Sequence, residues 1–108
     1  MMNTLQKSNT FHPAINKLVE YITTFPSVQK IILFGSRAKG THSAFSDIDM
    51  AVIGVKDRGE WLDIYRLADV EDDRVPTLLK IDLVQFEHAD LLLQQSIMKE
   101  GLTLYERR

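Results

Sequence analysis

Gly35-Ser36 is followed, ten residues later, by Asp47-Ile48-Asp49 in the run GSRAKGTHSAFSDIDMAV. The glycine-serine pair closes one apolar run and the two carboxylates open the next. Glycine permits backbone conformations and close approaches that a side chain forbids. The N–H groups that follow it, with the Ser36 hydroxyl, can cup phosphate oxygens. On a strand, alternate residues share a face, so Asp47 and Asp49 point the same way, about 6–7 Å apart at the backbone. Two such carboxylates repel each other unless a hard cation lies between them. Magnesium is commonly held by one or two carboxylates together with phosphate oxygens. A third carboxylate, Asp82 in KIDLVQF, opens another apolar run. If its strand neighbours that of Asp47, the three acids suit a two-cation site that clamps both oxygens of an in-line displacement.

Each feature has a plainer reading when taken alone. Asp-x-Asp also marks a solvated strand start, Gly-Ser an ordinary turn, and Asp82 an exposed charge. Their conjunction favours the chemistry. Arg37 and Lys39 bring positive charge beside the turn and are candidates for phosphate contact, or else solvated loop cations. His12, His42 and His88 lack metal-ligand spacing and read as surface or capping residues. No GxxxxGK[ST] phosphate loop is present, and no serine-hydrolase elbow.

The elements that must position these residues can be read from periodicity. Ile15, Leu18, Val19 and Ile22 follow helical spacing between His12 and Phe25, with Pro13 in the first turn and Pro26 as a stop. Residues 28–34 (VQKIILF) read as a buried strand ended by Gly35. Residues 36–41 predict a short helix, then a polar loop to Ser46. Residues 47–53 (DIDMAVI) form a second strand. Glu60 to Arg74 predicts a helix with Trp61, Ile64, Tyr65 and Ala68 on one face. Trp61 reads as core, with an interface anchor as its alternative. The acidic run Asp69, Glu71, Asp72 and Asp73 reads as a solvated helix face, or as a patch for a basic partner. A third strand lies around KIDLVQF, and a last helix over 89–99 is stopped by Gly101 at C′. Residues 102–105 add a short edge strand. Strands alternating with helices indicate an α/β architecture.

Composition bounds the rest. The chain has 108 residues, 44% hydrophobic and 26% charged, as in an ordinary globular domain. We expect a loosely ordered segment over 1–10 and a single domain over 11–108. A net charge of −2 gives no broad basic footprint for duplex nucleic acid. There is no cysteine, which excludes disulfides, thiolate metal sites and cysteine nucleophiles. No stretch approaches the roughly 18 apolar residues that span a bilayer, and the polar start does not resemble a signal peptide. A cytoplasmic location is the expectation.

Gly35-Ser36, the ten-residue gap, Asp47-x-Asp49 and the later Asp82 together resemble the DNA polymerase β-like nucleotidyltransferase superfamily. The short length, GSRAKG and SDIDMAV resemble its minimal-nucleotidyltransferase (MNT) branch, and KIDLV and IMKEGLTLYE extend the likeness over about residues 14–106. One departure is Lys39, where the branch commonly has arginine. The resemblance implies a mixed β-sheet flanked by helices (α+β, palm-like). It implies magnesium-dependent transfer of AMP from ATP, with two ions and release of pyrophosphate. By position, Gly35 and Ser36 would hold the triphosphate, Asp47 and Asp49 the metal, and Asp82 metal and acceptor. Members of the branch are antitoxin or catalytic partners of all-helical HEPN proteins. Larger members add an acceptor-binding domain, and the chain ends about twenty residues after its third strand. A HEPN partner in a hetero-oligomer is therefore expected to supply the acceptor hydroxyl, such as a tyrosine. Two other readings remain: an antitoxin that only occludes its partner, and transfer to a small molecule.

Overall fold

The computed structural model describes residues 3–5 and 11–108. Five strands form one sheet: β1 (Asn3–Leu5), β2 (Lys30–Phe34), β3 (Ile48–Ile53), β4 (Ile81–Gln85) and β5 (Leu102–Arg107). Their order is β1-β5-β2-β3-β4. β3 and β4 run parallel, and the other pairs are antiparallel. Helices α1 (Pro13–Ile22), α2 (Ser36–Lys39), α3 (Arg58–Tyr65) and α4 (Leu91–Glu100) connect them. A parallel pair cannot be joined by a hairpin, so the chain between β3 and β4 carries the crossover helix α3. The mixed sheet with flanking helices agrees with the fold expected from the resemblance.

α1 forms where the periodicity places it. The His12 imidazole caps it by accepting from the Ala14 N–H at 3.0 Å, the capping role expected of that residue. Ile15, Leu18 and Ile22 are buried against Ile31, Leu33, Met50 and Val52 of the sheet. The opposite sheet face is covered more thinly. Ile97 of α4 packs on Ile32 and Ala51, with Phe34, Ile53, Phe86 and Leu93 around them.

Several expectations are corrected. The helix expected over Glu60–Arg74 is α only to Tyr65, followed by a 3-10 turn at Arg66–Ala68. Aspartate side chains then compete for the backbone. Asp69 accepts from the Glu71 N–H at 2.8 Å and Asp72 from the Arg74 N–H at 3.0 Å. The acidic run is thus a chain of turns and not a helix face, and Tyr65 is exposed rather than core. β5 is no edge strand: it lies between β1 and β2. Within 1–10, expected to be loosely ordered, Asn3–Leu5 pairs with β5, and the remainder falls outside the described residues. Gly101 ends α4 as expected, in an extended conformation with a φ of −76°. A Cβ there would collide with the Ile32 side chain and the Ile97 carbonyl; glycine is required for the close approach of the α4–β5 turn to β2.

Because Ile97 is the one buried residue of α4, Ile97→Ala should cost about 2–4 kcal/mol by urea unfolding. Met98→Ala, at an exposed neighbour, should change stability by less than about 0.5 kcal/mol.

Candidate active site

Two parallel strands bring the acids together at one end of the sheet. Asp49 is the second residue of β3 and Asp82 the second of β4. The parallel register sets them directly opposite each other. Asp47 immediately precedes β3. On the other side Asp49 faces Phe34, the last residue of β2, and Gly35 follows it. The bend at Gly35 therefore lies against the carboxylate of Asp49. Its φ is +72°, and a Cβ there would overlap Asp49 Oδ2 and lie 3.2 Å from Asp49 Cγ. Both the backbone angle and the space demand glycine.

The electrostatics follow from the register. The Asp49 carboxyl is pushed above its ordinary value of 3.8, first by burial, then by the negative charges of Asp82 and Asp47 and by a side-chain hydrogen bond with Asp82. Lys80 opposes the rise. Its Nζ lies 3.8 Å from Asp82 Oδ2. Lys80 lies just before β4, two residues from Asp82, a spacing visible in KID.

The donor set fits a hard divalent cation: oxygen ligands only, with like charges that a cation would reconcile. Among the described residues no three acidic or histidine side chains close into a metal cage by themselves. The arrangement is an open one, of the kind that magnesium completes with water and phosphate oxygens.

Ser36 starts α2, whose first N–H groups have no partner within the helix. Gly35 O accepts from the N–H groups of Ala38 and Lys39 at 3.1 and 3.2 Å, which tightens the turn. Arg37 does not stand free beside it. It is buried, 8% exposed, and donates from Nε to Ser46 O at 3.1 Å and from Nη2 to Ala44 O at 3.3 Å. It clamps the loop that delivers Asp47. Lys39 is exposed and pairs with Glu100 at the end of α4, at 3.4 Å. The clamp on residues 44 and 46 leaves Phe45, between them, 86% exposed two residues before Asp47. Its one mark in the sequence is an apolar residue in a polar loop. His42 lies exposed in the same loop, and His88 at the far end of the sheet.

Replacing Asp49 by Asn should stabilise the metal-free chain at neutral pH, by roughly 0.5–1 kcal/mol, as expected for removing like charges across adjacent strands. The folded-state value is raised, so charging this group costs stability as pH rises from 3.8 through that value. The advantage of Asp49→Asn should accordingly disappear below about pH 3.8. Thermal melts across pH 3–7.5 measure both. Gly35→Ala should cost about 1–3 kcal/mol for the positive-φ, extended-ψ backbone alone and displace Asp49, seen as a lowered melting temperature.

The family described as "Polymerase beta, Nucleotidyltransferase" matches residues 16–108. The protein adenylyltransferase MntA of Shewanella oneidensis is 32% identical over 94 residues, covering 83% of this chain and 63% of that protein. The MntA of Aphanizomenon flos-aquae is 30% identical over 95 residues, covering 79% and 61%. The chain thus spans somewhat under two thirds of the length of these relatives. A toxin-antitoxin crystal structure with AMP-PNP superposes with a TM-score of 0.66 at 30% identity, covering 86% of this chain and 73% of that one. An MntA–HepT toxin-antitoxin structure gives 0.59 at 26% identity, covering 87% and 71%. With the family's region running through every element from α1 to β5, the chain belongs to the polymerase beta nucleotidyltransferase family.

Proposed function

We propose that this chain is a magnesium-dependent adenylyltransferase that transfers AMP from ATP to a hydroxyl on a helical partner protein, and that it acts as the antitoxin of that partner. The observation carrying the catalytic part is the register of Asp49 with Asp82 beside the Gly35 bend. Relatives named protein adenylyltransferase support the choice of reaction. A toxin-antitoxin neighbour solved with AMP-PNP supports an adenine nucleotide as donor. The MntA–HepT structures support a hetero-oligomer; a HEPN-type fold for the partner, and a cytoplasmic setting, are carried by the family resemblance.

The residues divide the work. Gly35 and Ser36 turn backbone N–H groups and a hydroxyl toward the triphosphate. Lys39 leaves Glu100 and meets the phosphates. Arg37 holds the loop from residue 44 to residue 46, so that Asp47 arrives at the right place. Asp47, Asp49 and Asp82 would hold the ions, two by analogy with other enzymes that displace phosphoryl oxygens. When bound, magnesium neutralises the phosphates and lowers the barrier to attack. Asp82 takes the proton of the acceptor hydroxyl. The hydroxyl oxygen then bonds to the α-phosphorus of ATP, the bond from that phosphorus to the bridging oxygen breaks, and pyrophosphate leaves.

Incubation with labelled ATP, magnesium and the partner should place label on the partner with stoichiometric pyrophosphate, located by mass spectrometry. Asp47→Asn and Asp49→Asn should each reduce transfer by at least about 100-fold, the scale of lost electrostatic stabilisation at a reacting centre. An antitoxin effect that survives both substitutions would overturn its enzymatic basis in favour of occlusion. Label on a small hydroxyl compound in place of the partner would overturn the choice of acceptor.

A further inference from the structure

The parallel strands have a second end. Where β3 and β4 finish, at Ile53 and Gln85, a cleft of about 470 Å³ opens between the start of α3 and the segment after β4. It lies about 10–13 Å further along the strands than Asp49 and Asp82. Lys56, Arg58 and His88 line it, with Trp61, Tyr65 and Gln85. Its volume falls in the range of small-ligand sites, and it occupies the carboxyl ends of adjacent parallel strands, where open α/β sheets bind ligands.

Apart from Tyr65, the ionisable side chains that line this cleft are all basic. The acids nearby keep their charge but each turns at least one oxygen to a hydrogen-bond donor away from the lining. Asp57 caps α3 by accepting from the Glu60 N–H at 2.9 Å. Glu60 accepts from the Ser27 hydroxyl. Glu87 turns away to accept from the Gly54 N–H at 2.7 Å. Lys56, Arg58 and His88 have no ion-pair partner among the described residues. The aromatic wall is organised too. Trp61 is packed against the core, and its ring centroid lies 6.0 Å from that of the exposed Tyr65 at 45°. Gln85 is fixed by donating from Nε2 to Val55 O at 2.9 Å, which leaves its Oε1 as an acceptor.

Basic side chains beside an open aromatic wall, with a fixed amide acceptor, match a phosphate joined to a planar ring. We propose that this cleft is a second nucleotide-binding site, separate from the carboxylates, that takes a nucleoside monophosphate either free or as the phosphorylated end of a short RNA. Arg58 and Lys56 hold the phosphate, the exposed Tyr65 ring stacks on the base with Trp61 bordering it, and Gln85 accepts from a base amino group.

Trp61 is the chain's one tryptophan, so binding has a built-in reporter. The test titrates AMP against Trp61 fluorescence in EDTA, in the wild-type chain and in the Asp47→Asn/Asp49→Asn chain. Saturable quenching should appear equally in both, be absent with adenosine and with inorganic phosphate, and weaken with salt. Arg58→Ala or Lys56→Ala should weaken it roughly tenfold, as for loss of a charge-assisted bond, with unchanged melting temperature. Affinity for a 5′-phosphorylated RNA tetramer well above that for AMP identifies an RNA end as the source; equal affinity identifies the free nucleotide. Quenching abolished by the carboxylate substitutions would assign binding to the catalytic site. That result, indifference to Arg58→Ala and Lys56→Ala, or no saturable quenching by AMP or the tetramer would each overturn the proposal. None of these outcomes depends on the adenylyltransferase reading.

Discussion

Two carboxylates held in register across parallel strands are the constraint on which this structure turns. Asp49 and Asp82 occupy the second positions of β3 and β4 and face each other. Sheet pairing fixes them there, so their mutual repulsion cannot relax without breaking the ladder. The cost appears in the Asp49 carboxyl, which is raised by burial and by its acidic neighbours. Stability given up at one place to hold like charges together is characteristic of sites built to receive an opposite charge. Lys80, 3.8 Å from Asp82, tempers the repulsion on the solvent side and leaves the Asp47 side open.

Around that pair the fold supplies a frame of short, stiff connections. Gly35 lets β2 turn directly against Asp49, where any side chain would collide with it. Arg37 then reaches back from α2 to the carbonyls of residues 44 and 46. One buried guanidinium thereby ties the turn that follows β2 to the loop that precedes β3. The phosphate-binding turn and the metal-binding carboxylates of the proposed mechanism are thus parts of one braced unit. Two nitrogens of Arg37 are engaged in this brace, and Lys39, paired with Glu100, is the exposed cation of the turn.

The same parallel pair carries opposite chemistry at its two ends. Acids gather where β3 and β4 begin. Basic and aromatic groups line the cleft where they finish, while the carboxylates of Asp57, Glu60 and Glu87 accept from a helix N-terminus, a serine and a glycine N–H beside it. A net charge of −2 conceals this polarity, since a sum over the chain erases a separation along one strand pair.

The sequence alone determined the chemistry-bearing turn and acids, the α/β alternation and the buried faces of α1 and β2. These follow from local rules: glycine at a tight bend, period-2 and period-3.6 patterning, and proline at the helix start. It did not determine where α3 stops, since turn-forming aspartates at 69 and 72 outweigh a helical run only once their side chains meet the backbone. Nor could it place β5 inside the sheet, because strand order depends on partners distant in sequence. The pairing of Asp49 with Asp82, the burial of Arg37 against the carbonyls of residues 44 and 46, and the lining of one cleft by Lys56 and His88 were decided by tertiary structure. Each joins residues that pattern alone leaves independent, and only the closing of the sheet brings them to one place.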